Sequence, residues 1–177
     1  MKPSQADPWP VRVRLDEVGK RLDRHLVADE MDRARIAVAL GLEALTELEA
    51  DVAITQTGPG GEVRGDLHAK VVQICGVSLE PFATDIRSAF SVPFTTEPAA
   101  EASDPEAEEF GLADLDAPDV IETGVLDVGG YVVEHLALEL DPFPRKPGVE
   151  FEAPAPEREA SPFSVLSELK PPGKSKG

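Results

Sequence analysis

The side chains best suited to chemistry in this 177-residue chain are one cysteine, three histidines and a surplus of carboxylates. Cys75 lies in VVQICGVSLEPF, residues 71–82, three positions before Ser78. That is the spacing of a metal clip or a redox pair, with a cysteine in one half alone. A lone cysteine forms no intramolecular disulfide and no multi-thiolate zinc cage. To act as a nucleophile, Cys75 needs a nearby base and a lowered pKa. His68 is seven residues away on the same expected strand, about 23 Å along an extended chain. It does not reach Cys75 from there. His25 and His135 approach it only if the fold brings them. Free cysteines are commonly buried, so Cys75 is expected to be a packing residue before a turn set by Leu79, Glu80 and Pro81.

Other arrangements offer less. His135 and Glu139 are four apart on an expected helix and can face one ion, but no HExxH motif or cysteine pair supplies further ligands. An exposed polar helix face is the expectation there. The GPGGE run at 58–62 looks like a phosphate loop, yet lacks the following Lys-Ser/Thr and opens a strand. It is expected to be a hairpin turn. Carboxylates are plentiful, but an acid–base pair needs burial to tune it. No catalytic residue, cofactor site or metal site is therefore assigned. Arg12, Arg14, Arg64, Lys70 and Arg87 fall on polar strand faces. They are the candidates for RNA phosphate contact if those strands are neighbours, the alternative being a solvated face.

These residues must be carried by regular elements. WPVRVRLDEV, 9–18, alternates apolar and polar side chains, as a half-buried strand does. Residues 28–41 have a helical period, with Asp29 to cap the start and Gly41 to end it. Leu48, Ala50, Val52 and Ile54 alternate again. Val63, Leu67, Ala69 and Val71 share one parity of the next strand, which runs to about Cys75. Gly65 interrupts that parity and marks a bulge or a close backbone approach. Ile86, Phe90, Val92 and Phe94 line a third strand. Val120 and Ile121 suit a short edge strand. Tyr131, Val132, Leu136 and Leu140 suit a second helix, ended by Asp141-Pro142. Short joins between strands predict an α+β fold. Its antiparallel, curved sheet, barrel- or sandwich-like, packs with two helices. One domain is expected over 9–145, interrupted by an acidic flexible loop at 95–119. A Pro/Glu/Lys-rich tail follows at 146–177. It contains the amphipathic segment 162–170, where Phe163, Leu166 and Leu169 recur every three residues.

The net charge is −17, and its distribution is uneven. Residues 97–122 hold ten acids and no base. Such a balance disfavours a broad grip on bare nucleic acid and suits a basic partner. The single cysteine fits a reducing compartment. The N-terminal MKPSQADPWPVRV has no apolar run of a signal peptide, and no run of about 18 apolar residues occurs. A cytoplasmic protein without membrane contact is expected.

Four stretches in order resemble the YceD family, the large ribosomal RNA subunit accumulation proteins. They are ADEMDRARIAVALGLEAL, VRGDLHAKVVQICGVSLEPF, VIETGVLDVGGYVVEHLALELDPFPR and SPFSVLSELK. The second carries the family-like positions Gly65, Leu67, Ala69, Gln73, Cys75, Leu79, Glu80 and Pro81. Many members have a second cysteine where this chain has Ser78, and further cysteines where it reads DPFPRKPGVEF. Serine is a poor zinc ligand, so no metal role follows for Cys75 here. The resemblance implies a non-enzymatic role in accumulation or processing of large-subunit (23S) ribosomal RNA. It implies as partner pre-rRNA or an early large-subunit particle. A basic ribosomal protein or processing factor held by residues 97–122 is a further expectation. The alternatives are an acidic protein–protein interaction module unrelated to ribosomes, and a small metalloprotein or enzyme centred on Cys75 or His135.

Overall fold

The computed structural model describes residues 7–97 and 117–151. The chain runs β1 (Arg12–Arg14), α1 (Leu15–Val18), β2 (Arg21–Val27), α2 (Glu30–Leu40), β3 (Ala44–Thr57) and β4 (Gly60–Ile74). It continues β5 (Pro81–Thr95), β6 (Asp119–Val120), β7 (Val125–Asp127) and α3 (Val128–Glu139). Five strands form one sheet in the order β2-β3-β4-β5-β6, and β1 pairs with β7 in a second, two-stranded sheet. All pairings are antiparallel except β5 with β6. The fold is α+β with a mostly antiparallel sheet. Among the described residues it is no closed barrel: β2 and β6 stay unjoined at the two edges.

Alternation builds the sheet. Leu48, Ala50, Val52 and Ile54 of β3 point to the core, as do Val63, Leu67, Ala69 and Val71 of β4. A register irregularity between Leu45 and Glu47 lets Leu45 point inward too. Gly65 faces Phe90 in the register, and a side chain at 65 would run into the Phe90 ring. The ring covers the glycine, a cross-strand device that fills the space a missing side chain leaves. Phe90 in turn stacks on His135 of α3, with ring centroids 4.4 Å apart.

The helices start and stop where their caps dictate. Asp29 accepts the Asp32 N–H at 2.7 Å. Gly41 takes φ +66°, while the Leu42 N–H reaches back to the Ala37 carbonyl. Asp127 caps α3 by accepting the Gly130 N–H at 3.0 Å. Burial pushes the Asp127 carboxyl upward, against the hydrogen bond from Gly130.

Differences from the sequence expectation begin at the N-terminal side. The first strand is short, because Leu15–Val18 coil into a helical turn closed by Gly19 at φ +61°. That turn adds a third helix to the expected two. Strand β2 was not foreseen. It is an edge strand in which only Leu22 and Leu26 are half-buried, with exposed Arg24 between them, so alternation does not betray it. Of the acidic stretch, the ends alone are described. Phe94 and Thr95 lie beside Asp119 and Val120, which fixes both ends at one point of the sheet rim. The tail segment 162–170 and most of the 95–119 loop lie outside the described residues.

Candidate functional site

The turn between β4 and β5 closes around Cys75. The Cys75 N–H donates to the Glu80 carbonyl at 2.9 Å, and the Leu79 N–H donates to the Cys75 carbonyl at 2.9 Å. The buried sulfur accepts three backbone N–H groups, from Val77, Ser78 and Lys146, each at 3.4 Å. These donors favour the thiolate. The Ser78 hydroxyl, then the N–H groups of Ser78 and Lys146, bring the thiol down to about 6, against the opposing push of burial.

The second half of the turn comes from the segment after α3. The Gly76 N–H donates to the Pro144 carbonyl at 2.9 Å. Lys146 Nζ meets Glu80 Oε2 at 2.7 Å, which lowers the Glu80 carboxyl and raises the Lys146 ammonium. Gln73 donates to the Asp141 carbonyl at 3.2 Å. The sequence reading missed Lys146 and Pro144 as partners of the turn. The available signal was the resemblance, which sets further cysteines where this chain reads DPFPRKPGVEF. Leu79 takes φ +58°, and its side chain is 75% exposed. Pro81 opens β5 at its first position, where no ladder N–H is needed.

The remaining family-like positions, Gly65, Leu67 and Ala69, lie buried on the inner face of β4. The turn offers an acidified thiol without a base: among the described residues no histidine hydrogen-bonds to Cys75. His135 is engaged by Phe90 and by the Tyr131 carbonyl, to which its Nδ1 donates at 2.8 Å. Glu139 accepts the Ser88 hydroxyl at 2.7 Å. Among the described residues no three His, Cys, Asp or Glu side chains stand as a metal-binding group.

The outer face of the sheet is open, and its rows follow the register. They read Asp23–Ala53–Arg64–Ser91, His25–Asp51–Asp66–Ala89 and Val27–Glu49–His68–Arg87, then Glu47–Lys70–Asp85. Arg64, Lys70 and Arg87 thus share this face, while Arg12 and Arg14 belong to the two-stranded sheet. Every one of the five has a carboxylate beside it. Arg64 meets Glu62 at 2.9 Å, Lys70 meets Glu47 at 2.8 Å and Arg87 meets Asp85 at 3.5 Å. Arg12 lies 3.6 Å from Asp7, and Arg14 lies 2.6 Å from Asp16. Glu62 is lowered by the Ser91 hydroxyl and by Arg64, and Lys70 is raised by Glu47. His68 bridges Glu49 at 3.2 Å and Asp85 at 2.9 Å. Burial opposes ionisation of Asp85, but His68 and Arg87 outweigh it and lower the carboxyl. Acids outnumber bases on this face, and its cations are already neutralised by neighbours.

Fold and surfaces together define a class. This is an open-faced α+β domain whose most elaborate polar feature, among the described residues, is a thiol-centred turn. The family model described as "Large ribosomal RNA subunit accumulation protein YceD" matches residues 63–170, more than half of the chain. The chain belongs to the YceD family. No curated protein and no solved structure matches it. The match covers β4 from Val63 on, the Cys75 turn, β5, α3 and the segment that closes the turn. The family is described by RNA accumulation and not by a reaction. Among the described residues no helix is long and apolar enough to cross a membrane.

Proposed function

We propose that this chain is a non-enzymatic factor in biogenesis of the large ribosomal subunit, supporting accumulation or processing of 23S ribosomal RNA in the cytoplasm. Family membership is the observation that carries this reading. Its partner is an early large-subunit particle or a basic protein on it, in preference to naked pre-rRNA. Charge supports that choice: the chain carries −17, and each candidate RNA-contacting cation has a carboxylate alongside. Bare phosphate would have to displace those carboxylates and overcome the net repulsion. Arg64, Lys70 and Arg87 remain the residues through which RNA in such a particle would be touched.

The test is a deletion strain, with and without a plasmid copy. The ratio of large- to small-subunit rRNA should fall and be restored by the plasmid, with a matching loss of large subunits on a sucrose gradient. A normal ratio under several growth conditions would overturn the proposal. A second reading, an acidic interaction module unrelated to ribosomes, rests on the ten acids and no base of residues 97–122. It predicts normal rRNA in the deletion strain and no ribosomal component co-purifying above background.

A further inference from the structure

Helix α2 is apolar on two sides. Ile36 and Ala37 enter the core, yet Met31 is 69% and Val38 83% exposed on the other side. Met31, Ala34 and Val38 follow one another at helical spacing and share the outer face. With Pro8 and Ala39 they line an apolar groove, rimmed by Asp7 and Arg35. An amphipathic helix of a globular domain normally buries one stripe and solvates the opposite one. Here the second stripe costs solvation and gains nothing from the described residues.

We propose that residues 162–170 of this same chain, PFSVLSELK, occupy this groove, with Phe163, Leu166 and Leu169 against Met31, Ala34 and Val38. The segment lies outside the described residues, and its sequence and its tether point to the groove. Its apolar residues recur every three positions, the spacing that sets a stripe along a helix to match the stripe on α2. Ser161 and Pro162 before them are residue types that open helices. The family match runs on to Lys170, past the last described residue, so the segment belongs to the matched unit. The stretch from Phe151 to Phe163 can extend to roughly 40 Å. Pro144 is hydrogen-bonded to Gly76 and Glu43 to Val72, which puts the start of the tail and the C-terminal end of α2 at the same end of β4, within that reach. The tether decides for this occupant over a free partner. Three apolar anchors hold a separate molecule poorly, whereas a short linker supplies an effective concentration on the order of millimolar. The inference is independent of the ribosomal reading.

Met1 and Met31 are the two methionines of the chain, so methyl-labelled methionine gives one resonance from the groove and one from the N-terminus. In the full chain, Phe163→Ala and Leu166→Asp should each move the Met31 methyl resonance and leave that of Met1 in place. Val38→Glu should move the Met31 resonance as well and abolish its response to Phe163→Ala. A Met31 resonance unmoved by both segment variants overturns the proposal. These variants lie outside the described domain, and the dispersion of the remaining spectrum reports that it stays folded. A Met31 resonance that shifts with protein concentration would also overturn it, by seating a second copy in the groove.

Discussion

Strand β4 turns back at both of its ends, and the two turns are built on different principles. At one end Thr57 pairs with Gly60 across a two-residue loop, with Gly58 at φ +61° followed by Pro59. Glycine at the first central position is what a tight hairpin of this twist requires, so the closure itself lies within four residues, and Thr96 docks on the Pro59 carbonyl from outside through its N–H at 2.8 Å and its hydroxyl at 3.0 Å. At the other end Cys75–Glu80 fold around a sulfur atom, and one of its three donors lies 71 residues further on. The left-handed residue there is Leu79, not glycine. The first turn is closed by local chemistry. The second is completed by a segment that arrives after α3. Damage at the first should therefore stay local, whereas damage at the second should spread to residues 141–149.

The largest effect is expected beside the local turn. A side chain at Gly61 would collide with the Thr55 carbonyl and the Phe94 ring, and the carbonyl cannot step aside without shifting β3. Gly61→Ala should cost about 3 kcal/mol in urea unfolding. A loss below about 1 kcal/mol would mean that the hairpin slides to make room, and the rigid, local picture would fail. Next comes Cys75→Ala, which strips three N–H groups of their acceptor. The melting temperature should fall by about 5 °C. Amide exchange should quicken at Lys146 and its neighbours, with the Gly58 hairpin unchanged. Unaltered exchange at Lys146 would show that the thiol does not tie the two segments.

The thiol also gives the distant turn a pH dependence that the glycine hairpin lacks. Its pKa falls from 9.0 to about 6, so between those values the folded state holds fewer protons than the unfolded state. The contribution to stability is complete above pH 9.0 and is lost as pH falls through about 6. The ultraviolet thiolate band of the native protein should titrate near the lower value. Ser78→Ala removes the largest cause and should move the midpoint upward. A native midpoint close to 9.0 would remove the charge from the description of the turn.

The same contrast explains what could be read in the sequence. Gly58-Pro59-Gly60-Gly61 announced its turn, since glycine and proline fix backbone angles by themselves. Asp29 and Gly41 likewise marked the ends of α2. The parity of Val63, Leu67, Ala69 and Val71 placed β4, whereas the gap at Gly65, expected to mark a bulge or a close backbone approach, is neither: the register runs on unbroken and the Phe90 ring covers the glycine. Edge strand β2 escaped because even its inner face, Leu22 and Leu26, is only half-buried. At the candidate site, Cys75 and its turn were visible, but Lys146 was not. It contributes a backbone N–H to the sulfur, which no side-chain pattern encodes, and an ammonium to Glu80, a partner 66 positions away in sequence, and the chain that follows α3 brings both there. Strand pairing also decided which charges meet. Parity put Arg64 and Lys70 on one face, yet only the register shows Lys70 beside Glu47 and His68 between Glu49 and Asp85.

The smallest effect is the most discriminating. Gly58 and Leu79 have nearly the same φ, so swapping their residue types compares the two turns directly. Gly58→Ala places a Cβ in the left-handed region and should cost about 1 kcal/mol. Leu79→Gly relieves a similar strain, of about 1 kcal/mol. Against that stands the extra freedom glycine gives the unfolded chain, roughly 0.5–1 kcal/mol. Little packing is lost, because the Leu79 side chain is 75% exposed. The net change should lie within about 0.5 kcal/mol of zero, the residue of those two opposing terms. A loss beyond about 1 kcal/mol would require the leucine side chain to be held by contacts within the protein. A null result leaves a strained, exposed leucine without any benefit to the fold. The measurement then passes to ribosome profiles of a strain carrying Leu79→Gly, where a large-subunit defect without a stability defect would place the turn in partner contact.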